Sequence, residues 1–386
     1  MLIQTTSDLV NFIANMGSPP YITLDTEFIS EKTYAPQLCL IQIASGSRAA
    51  VIDPLSDIDL QPLIVFLMNP NIVKVLHAAE QDLGILWNEF GVLPTPIFDT
   101  QIAAMVCGFG DQVSYGQLVN ALTKTKLDKS SQIVDWSRRP LLDRHIEYAL
   151  GDVSHLGPVY ERLKKDIEKR DRGNWIKEEM LELSDSKRYI FNPELHMRKL
   201  KARGMSRRRL ATLRELVSWR DERARDQNIP RGWVLKDLAL RDIVSHPPQN
   251  AAELGRVRGI GGIAQGQIGR EILQHIQAAA ALPLAECPPL DTEINDNSAN
   301  ENAVVLLRAL LKHVCRLNKV ASKLVAATAE LEQIALGLKT RVDQGWRWDV
   351  FGKFAHELLA GAIALGLEKG SVKIVKIMGG ERYERS

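Results

Sequence analysis

Two carboxylates separated by one residue lie in the first strand-like segment of this chain of 386 residues: Asp25 and Glu27, in YITLDTEF (21–28). Alternate residues of a strand share a face, so both side chains should project from one side of the sheet, with their Cα atoms roughly 6–7 Å apart. Neighbouring carboxylates repel each other, but a divalent cation placed beside them would use their oxygens as ligands. The pair therefore indicates either a metal site or a polar strand face in solvent.

Two further acids and a tyrosine could complete such a site. Asp82 follows the strand-like IVKVLH (72–77) and lies in the first turns of a helical pattern. In α/β sheets, ligands usually bind where the carboxyl end of a strand meets the start of the next helix. Asp152 comes four residues after Tyr148, so the two should share a helix face. Singly, Asp82 could be an acid favoured by the helix dipole and Asp152 a surface residue.

The segments that must position these residues alternate between strand-like and helix-like patterns. A run of consecutive strands, then a further strand and mostly helices, predicts an α/β domain with a mixed sheet. One long helix is expected from about 142 to 169, with an apolar stripe at helical spacing. The predicted strands are 21–28, 37–44, 48–53 and 72–77.

The rest of the chain reads as helical and is divided by two breaks in periodicity. The first break, at about 183–205, ends in the strongly basic RKLKARGMSRRR, and the second, at 285–302, is polar and acidic. Three domains are therefore predicted, and the first should keep its chemistry on short oligomers when the chain is cut near residue 200. The predicted boundaries are 1–180, 205–282 and 300–378.

The order and spacing of the acids resemble the DEDD superfamily of 3′→5′ exonucleases. Its three motifs stand here as Asp25-x-Glu27, Asp82 and Tyr148-x-x-x-Asp152, and Glu147 occupies the position where the histidine branch has His. Tyr148 therefore indicates the tyrosine branch. Within that branch, LDTEF, QLCLIQIA, LHAAEQDL, FDTQIAA and EYALGDV resemble the ribonuclease D family. The resemblance implies a ribonuclease H-like mixed sheet with flanking helices.

The second region resembles the HRDC domain, an all-helical module. The resemblance rests on Trp219-Arg220, Pro230, the helix around 235–243, Pro247 and the Arg258-Gly259-Ile260 turn. Ribonuclease D-like proteins carry two such units after the nuclease, and residues 303–378 stand where the second would be. Trp219 and Trp233 are expected in the core of the first unit.

The resemblance also implies a reaction. It assigns Asp25, Glu27, Asp82 and Asp152 as ligands of two divalent ions, Mg²⁺ or Mn²⁺, and Tyr148 as the residue that orients the attacking water. The expected enzyme is a 3′→5′ exoribonuclease that releases nucleoside 5′-monophosphates and trims the 3′ ends of tRNA precursors and other structured RNAs. Two alternatives remain: a DNA 3′→5′ exonuclease, and a nucleic-acid-binding protein with a vestigial nuclease site.

Six residues are candidates for RNA contact. Phe28 could stack on terminal bases, although strand parity turns it away from the acids and favours a core position. Gln42 could contact the substrate backbone or satisfy a buried amide, and His77 could contact RNA or cap a helix. A run at 194–225 carries 11 Lys and Arg against 4 acids, which favours phosphate contact over a merely solvated helix face. Its candidates are Arg207, Arg208 and Arg209.

Composition excludes several other classes of protein. With 45% hydrophobic and 25% charged residues, the chain is typical of a folded globular protein. Residues 1–155 carry a net charge of −8 and the remainder +10, which suggests a metal-binding first part and a polyanion-binding second part. It has no apolar run of membrane-spanning length, no basic start typical of a signal peptide, and four scattered cysteines without zinc-ligand spacing. A cytoplasmic monomer without zinc is expected.

Overall fold

The structure is a computed structural model that describes residues 1–127, 134–200, 204–289 and 301–377. Contacts divide these residues into two compact units. The first unit contains Met1–Glu27, Leu38–Ser186 and residues 301–377 of the C-terminal part, and the second contains Phe28–Gln37 and the described residues between 187 and 289. The predicted boundaries 1–180, 205–282 and 300–378 stay predictions, and most of the second predicted linker lies outside the described residues.

A six-stranded mixed sheet forms the centre of the first unit, in the order β1-β4-β3-β2-β5-β6. Strand β1 pairs parallel to β4, β3 pairs antiparallel to β4, and β5 pairs parallel to both β2 and β6. The predicted mixed sheet with flanking helices is confirmed, although the sequence did not suggest the two short outer strands. The strands are β1 (Leu2–Ile3), β2 (Tyr21–Ile29), β3 (Gln37–Ser45), β4 (Arg48–Ile52), β5 (Val73–Leu76) and β6 (Ile97–Asp99).

Eight α-helices of the first unit lie between Thr6 and Leu183 in the described part of the chain. The helix predicted over 142–169 is in fact two helices, because His155 ends the first and the second starts at Leu156. Pro158 has no N–H to donate to the carbonyl of Ser154, so an uninterrupted helix would lose that hydrogen bond. The eight helices are α1 (Thr6–Met16), α2 (Gln61–Leu67), α3 (Glu80–Phe90), α4 (Thr100–Cys107), α5 (Tyr115–Thr123), α6 (Asp143–Ser154), α7 (Leu156–Lys169) and α8 (Gly173–Leu183).

The C-terminal part of the chain shares a hydrophobic core with these helices. Leu310 and Phe351 belong to the same buried cluster as Val106 of α4 and Leu163 of α7. Its helices are followed by an antiparallel hairpin of β7 (Ile363–Glu368) and β8 (Ser371–Lys376). The named helices of this part are α15 (Glu301–Asn318), α16 (Ser322–Val325), α17 (Thr328–Ala335), α18 (Gly345–Arg347) and α19 (Lys353–Leu359).

The second unit is mainly helical and has its own core, which includes Leu213, Leu240 and Ile272. Trp219 belongs to that core as predicted, but the prediction for Trp233 is wrong, because its side chain is 62% exposed. Across the described residues, no helix is long and apolar enough to cross a membrane. The helices of this unit are α9 (Pro193–Lys199), α10 (Arg207–Asp226), α11 (Arg231–Val234), α12 (Asp237–Ser245), α13 (Ala251–Leu254) and α14 (Gln267–Ala281).

Candidate functional site

Three carboxylates converge at the carboxyl end of strand β2. Asp25 and Glu27 project from β2, and Asp152 reaches them from the last turn of α6. One oxygen of each lies within 4.8 Å of the others, and all three side chains are half-buried. Such a set of hard oxygen donors fits the ligand preference of Mg²⁺ or Mn²⁺.

The fourth predicted acid, Asp82, lies beside this cluster without joining it. In the described part of the chain the convergent set is limited to the three carboxylates above, and Asp82 instead accepts a hydrogen bond of 2.5 Å from Thr26 Oγ1. Thr26 is the residue between the two acids of β2. Asp82 is 7% exposed and lies in the first turn of α3. Thr26 therefore ties the second acidic motif to the first.

The electrostatics of these acids disfavour charge on all of them together. Burial, followed by the charges of Asp82, Asp152 and Glu27, raises the pKa of Asp25 well above its usual value. Burial and the charges of Asp152 and Asp82 raise the pKa of Glu27 to about 8. Burial also raises the pKa values of Asp82 and Asp152 to about 6 each. Clustered carboxylates of this kind favour a bound cation, which would offset both the burial of their charges and the repulsion between them.

Tyr148 lies one turn before Asp152 on α6, and its phenol lies in the field of the same acids. Burial and the charges of Asp152, Glu27 and Asp25 raise the pKa of Tyr148 far above its ordinary value. The hydroxyl is therefore protonated at neutral pH and can donate a hydrogen bond. The Tyr148 ring packs against Trp136, with 6.1 Å between the ring centroids.

Asp99 positions the helix that carries Asp82. Its carboxylate accepts hydrogen bonds from the backbone N–H groups of Gln101 and Ile102, which caps α4. It also accepts from the N–H groups of Ala78 and Ala79, immediately before α3. One side chain, 2% exposed, thus fixes the starts of two helices.

Tyr115 is a neighbour of the site that sequence reasoning missed. Its hydroxyl donates a hydrogen bond of 3.2 Å to the carbonyl of Gly151, the residue before Asp152. Burial, followed by the charges of Asp152 and Asp25, raises its pKa. No local pattern distinguishes this tyrosine from a core residue, since its partner is 36 positions away.

The three RNA-contact candidates of the first part differ in accessibility. Phe28 is half-buried. Gln42 is fully buried in β3, and among the described residues neither polar atom of its side chain has a hydrogen-bond partner. His77 Nδ1 lies 3.0 Å from Thr100 Oγ1, and burial lowers the pKa of His77, so its ring is neutral at pH 7. Neither Gln42 nor His77 therefore offers an accessible charge to a phosphate.

Two of the three candidate arginines donate to carbonyls of their own unit. Arg207 donates to the carbonyls of Cys287 and Pro288, and Arg208 donates to those of Ala279 and Leu282 at the end of α14. Arg209 is exposed. The basic run that looked like a phosphate-binding surface is thus partly used to hold the unit together.

Comparison with protein families defines the class of the molecule. Residues 1–168 match the family model of a 3′-5′ exonuclease, and residues 209–276 match that of the HRDC domain. The acid cluster lies within the first match. The chain is therefore an exonuclease domain followed by an HRDC domain.

Relatives that match over nearly the whole chain indicate which family of exonucleases it resembles. The chain is 41% identical to the ribonuclease D of Jannaschia sp. (strain CCS1), covering 97% of this chain and 99% of the relative. It resembles the crystal structure of Escherichia coli RNase D, an exoribonuclease involved in structured RNA processing, with a TM-score of 0.84 and 30% identity, covering 94% of this chain and 98% of that one. The catalytic core of RRP6 from Trypanosoma brucei has a TM-score of 0.54 and 25% identity, covering 73% of this chain and 80% of that one.

The chain belongs to the ribonuclease D family and is an exoribonuclease that acts in the 3′→5′ direction.

Proposed function

We propose that the protein hydrolyses RNA from the 3′ end with two divalent metal ions held by Asp25, Glu27, Asp82 and Asp152, and that it trims tRNA precursors and other structured RNAs. The observation that carries the proposal is the convergence of three of these carboxylates within 4.8 Å. Their oxygens are the ligands that Mg²⁺ and Mn²⁺ prefer. Divalent ions bound there would stabilise charge on the phosphate and lower the pKa of the attacking water.

The protein's own side chains provide orientation. Thr26 holds one oxygen of Asp82, which leaves the other for a ligand. Tyr148, whose phenol is protonated at neutral pH, donates a hydrogen bond that orients the attacking water. Release of nucleoside 5′-monophosphates follows from attack on the phosphorus and departure of the 3′ oxygen.

Structured RNA as the substrate is supported by the Escherichia coli relative, which is described as an exoribonuclease involved in structured RNA processing. Arg209 and the exposed Trp233 offer a cation and an aromatic ring on the second unit for phosphate contact and base stacking. We further propose that the enzyme acts as a monomer in the cytoplasm without zinc. The four cysteines are widely scattered in the sequence and lack the spacing of zinc ligands.

The proposal is tested with a 5′-labelled tRNA bearing a short 3′ extension, incubated with and without Mg²⁺ or Mn²⁺. A ladder that shortens from the 3′ end, appears only with metal and stops near the mature end is expected. A matched DNA oligonucleotide should be cut far more slowly. Preferential cutting of the DNA would instead support a DNA exonuclease.

Asp25→Asn and Asp152→Asn should abolish cleavage and leave the RNA affinity within a few-fold of the wild type, because each removes one charged metal ligand. Retained cleavage in either variant would contradict the metal-ligand assignment. A wild-type protein that shifts the labelled tRNA in a gel but never shortens it would point to a vestigial site.

A further inference from the structure

The segment between residues 134 and 142, which leads into α6, contains an aromatic residue packed on Tyr148. Trp136 is 4% exposed, and the planes of its ring and the Tyr148 ring are inclined by 32°. The same indole makes a T-shaped contact with the ring of His145, with 5.9 Å between the ring centroids. These distances lie in the range of favourable aromatic pairs. Trp136 thus forms a wall beside the tyrosine that projects towards the acids.

An arginine three residues later fixes this wall to the sheet. Arg139 Nε donates to Asp53 Oδ2 at 2.7 Å and Nη2 donates to Oδ1 at 2.6 Å, a bidentate pair. The same guanidinium donates to the carbonyl of Trp136 itself at 2.7 Å and to that of Cys39 in β3 at 3.0 Å. One side chain therefore joins the backbone of Trp136 to two adjacent strands.

Asp53, the acceptor of this pair, is itself held in place. It directly follows β4, is 1% exposed, and accepts further hydrogen bonds from Gln4 Nε2 and the backbone N–H of Leu55, both at 3.0 Å. Burial alone would raise the pKa of Asp53, but the hydrogen bonds from Arg139 and Gln4 and the charge of the arginine hold it below its usual value. The pair is therefore fully ionised at neutral pH.

We infer that Asp53 and Arg139 are positioning residues for the nuclease reaction: their ion pair holds Trp136, and Trp136 holds the ring of Tyr148 in the orientation that directs its hydroxyl towards the acids. The inference rests on the proposed role of Tyr148. Arg139 would act at a distance, because the contacts described for its guanidinium are those to Asp53 and to three backbone carbonyls.

A double-mutant cycle between Arg139 and Tyr148 tests this inference on a short oligoribonucleotide with saturating Mg²⁺. Arg139→Gln should lower kcat about tenfold with KM within about twofold, because misplacing a group by 1 Å can cost up to about 100-fold. In the Tyr148→Phe background the same substitution should lower kcat less than about twofold, because no hydroxyl remains to be positioned. Equal fold-losses in both backgrounds would overturn the inference.

The matched control is Arg138→Gln. Arg138 adjoins Arg139, but its side chain is 84% exposed and pairs only with the exposed Asp135 in the described structure. Kinetic constants of this variant should equal those of the wild type.

A second pair of variants keeps the test valid if Arg139→Gln fails to fold. Trp136→Phe retains an aromatic wall and Trp136→Leu removes it, so the Leu variant should lose more kcat, and that loss should vanish with Tyr148→Phe. Equal kcat for the Phe and Leu variants would refute the inference.

If the wild type shows no metal-dependent cleavage, the proposed function itself fails. If the wild type is active but the fold-losses in kcat of the single variants multiply in the double variants, only this inference fails.

Discussion

At the scale of single residues, the site combines carboxylates that repel one another with groups that keep them in place. The pKa of Glu27 rises to about 8, from about 4.5 for an ordinary glutamate, because the side chain is withdrawn from water beside Asp152 and Asp82. The metal-free folded chain therefore binds protons more tightly than the unfolded chain between these pH values. The contribution of Glu27 to the free energy of unfolding therefore falls as the pH rises through this range.

Glu27→Gln is accordingly expected to stabilise the metal-free protein at pH 8. We expect a rise in Tm of about 2–4 °C, the shift that ~1 kcal/mol produces in domains of 150–250 residues. The gain should be smaller at pH 5, where the wild-type carboxyl is protonated in the folded state. Thermal unfolding in the presence of EDTA measures it, and Glu31→Gln, at an exposed acid, is the control. A lower Tm for Glu27→Gln at pH 8 would show that the carboxylates do not repel one another.

At the scale of elements, the site depends on where helices begin and end. The position of Asp82 depends on Asp99, which fixes the backbone just before α3. Asp152 lies in the last turn of α6, and the hydroxyl of Tyr115 donates a hydrogen bond to the carbonyl of Gly151 in that turn. The break between α6 and α7 is therefore part of the site's construction.

Asp99→Ala should destabilise the first unit by about 2–4 kcal/mol, because it removes a helix cap and leaves buried N–H groups without acceptors. Asp99→Asn retains one acceptor oxygen and should cost less. Urea denaturation followed by fluorescence measures both. Asn192→Ala, which removes a cap from α9 of the second unit, is the comparison and should cost only about 1 kcal/mol. Equal losses for Asp99→Ala and Asn192→Ala would argue against the double role of Asp99.

At the scale of the whole molecule, the C-terminal part is structurally integral to the nuclease unit. Glu179 of α8 and Arg347 of α18 form a buried ion pair, and Trp175 and Trp346 stack with 4.3 Å between their centroids. Arg172 donates to the carbonyls of Val106, Asn318 and Lys319. A chain cut near residue 200 would expose the shared core. We therefore expect the first domain to lose its activity on short oligomers when it is cut there, contrary to the prediction made from the sequence.

The free energy of unfolding that is lost when the buried ion pair is broken measures how much the C-terminal part stabilises the nuclease unit. Arg347→Ala or Glu179→Ala should cost about 3–5 kcal/mol, because either leaves an uncompensated buried charge. Glu368→Ala, which removes an exposed pair with Lys373 in the hairpin, should cost less than about 1 kcal/mol. Denaturation monitored by tryptophan fluorescence, together with residual nuclease activity, distinguishes the cases. Similar losses for the buried and exposed pairs would mean that the C-terminal part contributes little to the unit.

The sequence by itself determined the features that depend on local spacing. The alternation of side chains along a strand predicted that Asp25 and Glu27 lie on one face of β2, and helical spacing predicted that Tyr148 lies one turn before Asp152. The Gly and Pro residues between the segments indicated where the strands of the mixed sheet end. These relations are short-range, because a strand or helix fixes the direction of a side chain from its position alone.

Tertiary structure alone decided the relations between distant residues. Asp53 and Arg139 are 86 positions apart, and nothing in their local sequence reveals that each is the other's partner. The arginines of α10 read as a phosphate-binding run because charge is visible in the sequence, whereas the backbone carbonyls that Arg207 and Arg208 contact are not. Trp233 is exposed, and the C-terminal helices pack in the core of the first unit. Neither could be predicted locally, because packing depends on contacts between residues that are far apart in the sequence. Residue types and spacing specify which chemistry is possible, and long-range packing specifies which groups are free to perform it.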